Sequence, residues 1–254
     1  MAISILGANA FAQNKNNTNI VLVHGAWSDG SAWNTVIPFL KAKGYNVTVV
    51  NLPGHGNDGT AFSEITLQSY VDVVKKAIGD NEQVTLVGHS MAGIVISRVA
   101  EEIPNNIKGL VYLAAYLPKN GQSLLDLAKM DAGSHVGKHL KIDEKSASAI
   151  IAKEGVIDVF FADAPADTQQ KLADGVKPEP LMPFVTPVTL TEGNYGVVEK
   201  IYIYTTNDHA VSYPAQQAMV KNTKVKKEYI LESSHTPFIS MPKKVAKILI
   251  KATK

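Results

Sequence analysis

The chain of 254 residues contains no cysteine, and that removes several chemistries at once. It can form neither a disulfide framework nor a cysteine-ligated zinc or iron–sulfur site, and it has no thiol nucleophile. Net charge is almost absent too: 25 Lys and Arg against 23 Asp and Glu leave +2 with histidine neutral. A nucleic-acid binder ordinarily carries a strong basic surplus, so that class is disfavoured. Arginine is scarcer still, with Arg98 the single one, and no multi-arginine clamp for phosphate or carboxylate can be assembled. Long apolar runs are also missing: nothing past the first dozen residues approaches the ~18 apolar residues of a membrane span, so no membrane partner is expected. What is present is apolar content, 45% hydrophobic against 19% charged. That is ample for a continuous core and too high for a disordered chain.

The first dozen residues stand apart from the rest. Ile3, Ile5 and Leu6 form a short apolar run, followed by Ala10-Phe11-Ala12 and Gln13. Small residues three and one before a cut after Ala12 match a signal-peptidase site, although the run lacks a basic n-region. Residues 1–19 are therefore expected to be a signal remnant and polar linker, and the protein to be periplasmic or secreted. The alternative is a plain N-terminal tail on a cytoplasmic protein.

From Ile20 onward, short β-branched runs alternate with helical patterns. Ile20–Val23, Val47–Val50, Val84–Val87, Leu110–Leu113 and Ile201–Tyr204 read as buried strands, and Glu228–Leu231 as a weaker one. Trp33, Val36, Ile37 and Leu40 follow helical spacing, but Pro38 requires that helix to start late or kink. Thr66 caps a helix that Gly79 ends, Met91, Val95, Val99 and Ile103 share one face, and Pro242 opens a last helix. The alternation predicts an α/β fold with a mostly parallel central sheet of about six strands, helices on both faces. It breaks between Pro118 and Lys200, so residues 20–117 and 200–254 are expected to form the core and 118–199 an insertion over the ligand-binding edge.

The strongest chemical signal is Gly88-His-Ser90-Met-Ala92-Gly93 between a strand and a helix. A serine hydroxyl needs a base and oxyanion donors to act as a nucleophile, and a tight strand-to-helix turn presents it to both. The usual pattern is G-x-S-x-G; Ala92 replaces its second glycine. A plain N-cap serine is the competing reading. Among seven histidines, His24 and His55 sit in glycine turns and His89 adjoins the serine, each better suited to ordering its loop. His135 and His139 are four apart, but no Glu follows His135 and Gly137 lies between them, so surface histidines are expected and no metal. His235, between the last strand and the last helix, is left as the base, and Asp208, just past strand Ile201–Tyr204, as its acid. Asp158, Asp163, Asp167 and Asp174 read as solvent-facing. The order Ser90, Asp208, His235 is that of α/β-hydrolases.

The chain from about Ile20 to Ile250 resembles the α/β-hydrolase superfamily, and within it the branch of plant methylesterases, hydroxynitrile lyases and their bacterial esterase relatives. Val21-Leu-Val-His24-Gly-Ala-Trp27, Leu52-Pro-Gly-His-Gly56, Val87-Gly-His-Ser-Met-Ala-Gly93 and Tyr112-Leu-Ala-Ala-Tyr-Leu-Pro118 carry the resemblance. Thr206 to Ala210 and the loop around His235 complete it. It implies Ser90 as nucleophile, His235 as base, Asp208 as the orienting acid, and oxyanion donors at the backbone of Ala26 and Met91. It also implies that the insertion caps the pocket. Lyases of this type carry threonine where Gly25 stands and lysine where Thr236 stands, so these two residues favour ester hydrolysis. Asn51 replaces an acid often found before the Leu-Pro-Gly-His-Gly turn.

The expected activity is cofactor-free serine carboxylesterase chemistry on a small, largely apolar or aromatic ester, in a monomer or homodimer. Trp27, Tyr116, Phe160, Met182, Phe184 and Tyr195 are candidate pocket walls. A lyase on the same scaffold and a ligand-binding relative without catalysis are the alternatives, since fold alone does not prove function.

Overall fold

The computed structural model describes residues 18–81 and 83–253, so the expected cleavage after Ala12 lies outside the described residues. Nine strands occur among them. They are β1 (Asn19–Val23), β2 (Asn46–Val50), β3 (Val84–His89), β4 (Ile107–Leu113), β5 (Leu140–Asp143), β6 (Ser148–Ile151), β7 (Glu179–Pro180), β8 (Glu199–Thr205) and β9 (Lys227–Leu231). Six of these form one sheet in the order β2-β1-β3-β4-β8-β9, with every neighbouring pair parallel. They are the six strands the β-branched runs predict.

The sheet is buried on both faces, which is why its central strands read as unbroken apolar runs. Val21 and Val23 of β1 join a core with Tyr70 and Val74 of helix Leu67–Ile78 and Val95 and Val99 of helix Ala92–Glu102. Ile20 and Leu22, one step out of phase, point to the other face and pack with Trp33, Leu40, Val245 and Leu249. Pro38 lies in the first turn of the short helix Ile37–Lys41, preceded by a 3-10 turn over Gly30–Trp33, so that helix starts late. Thr66 caps its helix through a reciprocal pair with Ser69, and Gly79 ends it at φ +56.

The chain builds β2 outward from β1, then crosses back to β3 on the other side. This reversal opens a crevice at the carboxyl ends of β1 and β3, where ligands bind in sheets of this kind. Between β4 and β8 lie five short α-helices, one 3-10 turn and a separate antiparallel sheet, β5-β6-β7. Those three strands are absent from the sequence expectation. They have two to four residues each, too few for an alternating pattern to declare itself.

Helix Ala92–Glu102 approaches the backbone beyond β4 so closely that a Cβ at Gly93 would lie 2.0 Å from the Tyr116 carbonyl oxygen. No side chain fits there unless the helix moves. Gly93→Ala should lower unfolding free energy by about 3 kcal/mol, read from urea denaturation monitored by circular dichroism.

Candidate active site

Ser90 immediately follows β3 and has φ +54, a left-handed conformation that costs a serine energy and persists only where the surroundings impose it. Three bonds do so. The Ser90 N–H donates to Leu113 O (3.2 Å), and Ser90 O accepts from the N–H groups of Gly93 (3.1 Å) and Tyr116 (3.1 Å). Gly88 permits the turn, since a Cβ there would lie 2.9 Å from Ala92 O. Ala92 is tolerated because the closest backbone approach falls one residue later, at Gly93. The buried Ser90 has no hydrogen-bond partner for its hydroxyl among the described residues.

Asp208 and His235 follow β8 and β9 at the same edge of the sheet and are both buried. Asp208 Oδ2 accepts from His235 Nδ1 at 2.8 Å and from Thr205 Oγ1 at 2.7 Å. Its Oδ1 accepts the N–H groups of Ala210 (2.8 Å) and Val211 (2.9 Å). Gln216 Nε2 also donates to Oδ2, at 3.3 Å, and these five donors fix the orientation of the carboxylate. The proton on His235 Nδ1 leaves Nε2 of the neutral ring as an acceptor. The His89 ring lies 4.6 Å from that of His235, and its Nε2–H donates to His235 O at 2.8 Å. Burial, aided by the neighbouring His235, pushes His89 far below the usual imidazole range, so it stays neutral.

The turn after β1 presses against the serine. A Cβ on Gly25 would come within 2.8 Å of both Ser90 Cβ and His89 Nδ1. His24 orders this turn as a neutral ring: Nδ1–H donates to Gly25 O (2.8 Å) and Nε2 accepts from the Leu52 N–H (3.1 Å). Burial, with His55 nearby, pushes its pKa down to about 3. Asn51 ties the next turn in, accepting from the Gly30 N–H at 2.6 Å. The backbone N–H groups of Ala26 and Met91 have no acceptor among the described residues, which leaves two donors beside Ser90.

A residue without any sequence expectation completes this region. Glu179 of β7 is fully buried and reaches from the insertion into the core. It accepts from His55 Nε2 (2.7 Å), the Trp27 N–H (2.8 Å) and the Tyr70 hydroxyl (3.0 Å). Trp27 is held at φ +58 and also donates its ring N–H to Ala149 O at 3.0 Å. In the sequence Glu179 is one acid between two prolines, and only the packed fold brings it to His55. Burial tends to strip the proton from His55, but the hydrogen bond and charge of Glu179 outweigh it and raise the imidazole above its ordinary value.

A cavity of about 490 Å³ opens beside His235 and His89, with Ala26, Trp27, Phe160 and Phe238 in its wall. Phe161, Leu172 and Val176 of the insertion, with no sequence expectation attached, extend that wall. Four expected wall residues lie elsewhere. Phe184 packs behind the Trp27 ring at 5.5 Å, and Met182 on the same short helix is 45% exposed. Tyr195 is buried with its hydroxyl 3.2 Å from that of Tyr112 and the Lys200 ammonium 4.0 Å above its ring. Tyr116 faces a separate cavity of about 250 Å³ with Asp131 and Met219. Phe184, Met182 and Tyr195 share a cause: the helices around Phe160 and Ala166–Asp174 cover the crevice, whereas the later part of the insertion packs against the core helices. Asp158 does face solvent, its side chain 45% exposed, and also pairs with His135 and His209. Asp163, though exposed, accepts a hydrogen bond from Ser234, the residue before His235.

A sequence profile for the alpha/beta hydrolase family matches residues 20–248. The chain belongs to the alpha/beta hydrolase family. It is 30% identical over 246 residues to "Putative methylesterase 11, chloroplastic" of Arabidopsis thaliana, covering 91% of this chain and 63% of that protein. The chain thus spans less than two thirds of that relative's length. It is 29% identical over 245 residues to a pyrethroid hydrolase of Sphingobium wenxiniae, covering 91% and 86% of the two chains. The crystal structure of a pyrethroid hydrolase from Sphingobium faniae JZ-2 superposes with TM-score 0.83 at 27% identity, covering 93% of this chain and 97% of that one. As an alpha/beta hydrolase the chain shows no helix, among its described residues, long and apolar enough to cross a membrane.

A histidine whose folded pKa is raised stabilises the fold fully below its unfolded value near ~6.5 and loses that contribution as pH rises through the folded value. Glu179→Gln should therefore cost about 2 kcal/mol near pH 6 and distinctly less at alkaline pH. Chemical denaturation of both proteins across that range reads the difference.

Proposed function

We propose that the protein is a serine carboxylesterase acting on a small, largely apolar or aromatic ester. The observation that carries this reading is the buried Asp208–His235 pair at the same sheet edge as Ser90, which is held in a strained turn after β3. In this mechanism Ser90 Oγ attacks the ester carbonyl carbon and its proton passes to His235 Nε2. Asp208 holds the ring in the Nδ1–H tautomer and stabilises the imidazolium. The N–H groups of Ala26 and Met91 receive the oxyanion. The alkoxide leaves with the proton from His235, and an acyl group remains on Ser90. Water then attacks that acyl group, His235 takes its proton, and the acid departs as Ser90 is restored.

The names of the relatives, methylesterase and pyrethroid hydrolase, support ester hydrolysis. A cavity of about 490 Å³ walled by Trp27, Phe160 and Phe238 suits one aromatic ring with a short chain. Residues 118–199 act as the cap in this reading, since Phe160 and Leu172 from that segment close the cavity wall. Lyase chemistry is disfavoured by two local features. Gly25 has no room for a side chain, and Thr236, after the base, spends its hydroxyl on Phe160 O at 2.7 Å instead of offering a cation.

Ser90→Ala should lower ester turnover by at least ~10⁴-fold while melting at or above the wild-type temperature, since the strained residue loses only its hydroxyl. Wild-type turnover by that variant would remove the assignment. Methyl and p-nitrophenyl esters of graded size should be hydrolysed until the acyl or alcohol side outgrows the cavity. No cyanide should be released from an aromatic cyanohydrin.

A further inference from the structure

His135, Asp158 and His209 converge at the junction of the insertion and the core, outside the crevice. Asp158 belongs to helix Lys153–Phe160, His135 precedes the short helix Val136–His139, and His209 follows Asp208. His135 Nδ1 lies 2.7 Å from Asp158 Oδ2, and His209 Nδ1 lies 2.8 Å from Asp158 Oδ1. The two imidazole rings face each other with centroids 4.3 Å apart. One ligating atom from each residue lies within 4.8 Å of the others.

The arrangement is held by the backbone around it. The His135 N–H donates to His209 O at 2.7 Å, and Ser134 Oγ donates to Ala210 O at 2.8 Å. The three side chains are therefore fixed relative to one another before any ligand arrives. All three are partly open to solvent, with side-chain exposures of 30%, 45% and 37%, so an ion has a path in. His139 takes no part, because its ring packs over Gly155.

We propose that His135, Asp158 and His209 form a binding site for a late first-row divalent cation, with zinc as its reference ion. Two imidazole nitrogens and one carboxylate are a donor set that suits zinc, nickel and cobalt, and disfavours the all-oxygen chemistry of magnesium and calcium. Zinc bonds of ~2.0–2.2 Å place neighbouring ligand atoms roughly 3.4 Å apart, a small adjustment from the observed spacing. Each ring coordinates through Nδ1 as a neutral imidazole with its proton on Nε2. A ring that starts as imidazolium releases one proton to solvent, and water completes the coordination. Two donors come from the insertion and the third from the residue beside Asp208. An occupied site therefore staples the insertion to the loop that carries the acid. This site does not depend on the esterase reading.

The test uses the full chain without an affinity tag, freed of metal with a chelator and dialysed. Calorimetric titration with zinc chloride should give one equivalent, and cobalt(II) should develop visible d–d absorption on binding. His135→Ala, His209→Ala and the isosteric Asp158→Asn should each weaken zinc binding by at least ~10-fold, and His139→Ala should leave it unchanged. Zinc should raise the melting temperature of wild type and of His139→Ala, but not of the other three. The proposal is overturned if wild type binds zinc no more tightly than the His135→Ala, His209→Ala and Asp158→Asn proteins. It is equally overturned if His139→Ala weakens binding as much as His135→Ala does. Circular dichroism of each variant separates a lost ligand from a lost fold, and the cobalt spectrum of wild type stands independently of all the variants.

Discussion

The carboxyl edge of the sheet depends on how closely three backbone segments can approach Ser90. The turn after β1 comes within a missing Cβ of the serine at Gly25, β3 bends back on its own helix at Gly88, and that helix meets the chain beyond β4 at Gly93. A side chain at any of the three would push apart segments that must touch. The left-handed Ser90 is the product of this crowding. Its carbonyl and amide are pinned by Leu113, Gly93 and Tyr116, and only its hydroxyl is left free.

Burial then divides the histidines around that point. His24 and His89 are fully enclosed with no carboxylate partner, so desolvation keeps them neutral and they serve as shaped hydrogen-bonding wedges. His55 and His235 are equally enclosed but each faces a buried acid, Glu179 or Asp208. The two pairs do different work. Asp208 belongs to the core and orients the His235 ring at the sheet edge that also carries Ser90. Glu179 belongs to the insertion and grips the turn whose amides lie next to the serine, so the insertion is joined to the site through a charge as well as through apolar packing.

Much of this was legible from the residues alone. The four central strands of the main sheet declare themselves as apolar runs because they are buried on both faces and need no polar alternation. The edge strands β2 and β9 are partly exposed, and β9 reads weakly. Ser90, Asp208 and His235 were legible because each sits in a short loop directly after a strand, where position along the chain predicts position at the sheet edge. The strands of the insertion were not, being too short for a periodic signal. Of the six expected wall residues two line the cavity, Trp27 and Phe160. Trp27 follows β1 and had to lie near the edge, whereas Tyr116, Phe184, Met182 and Tyr195 are aromatic or apolar residues whose partners no local pattern specifies.

Composition and local pattern by themselves determined the fold class, the chemistry excluded by the missing cysteines, and the three residues at the strand ends, because each is a property of a few consecutive residues. Only the tertiary structure decided that Glu179 meets His55 across 124 positions and that His135 pairs through Asp158 with His209 instead of His139. It likewise decided which aromatics face the crevice. These are contacts between segments brought together by burying two faces of one sheet, and their energies depend on desolvation and distance, which exist only once the chain is packed.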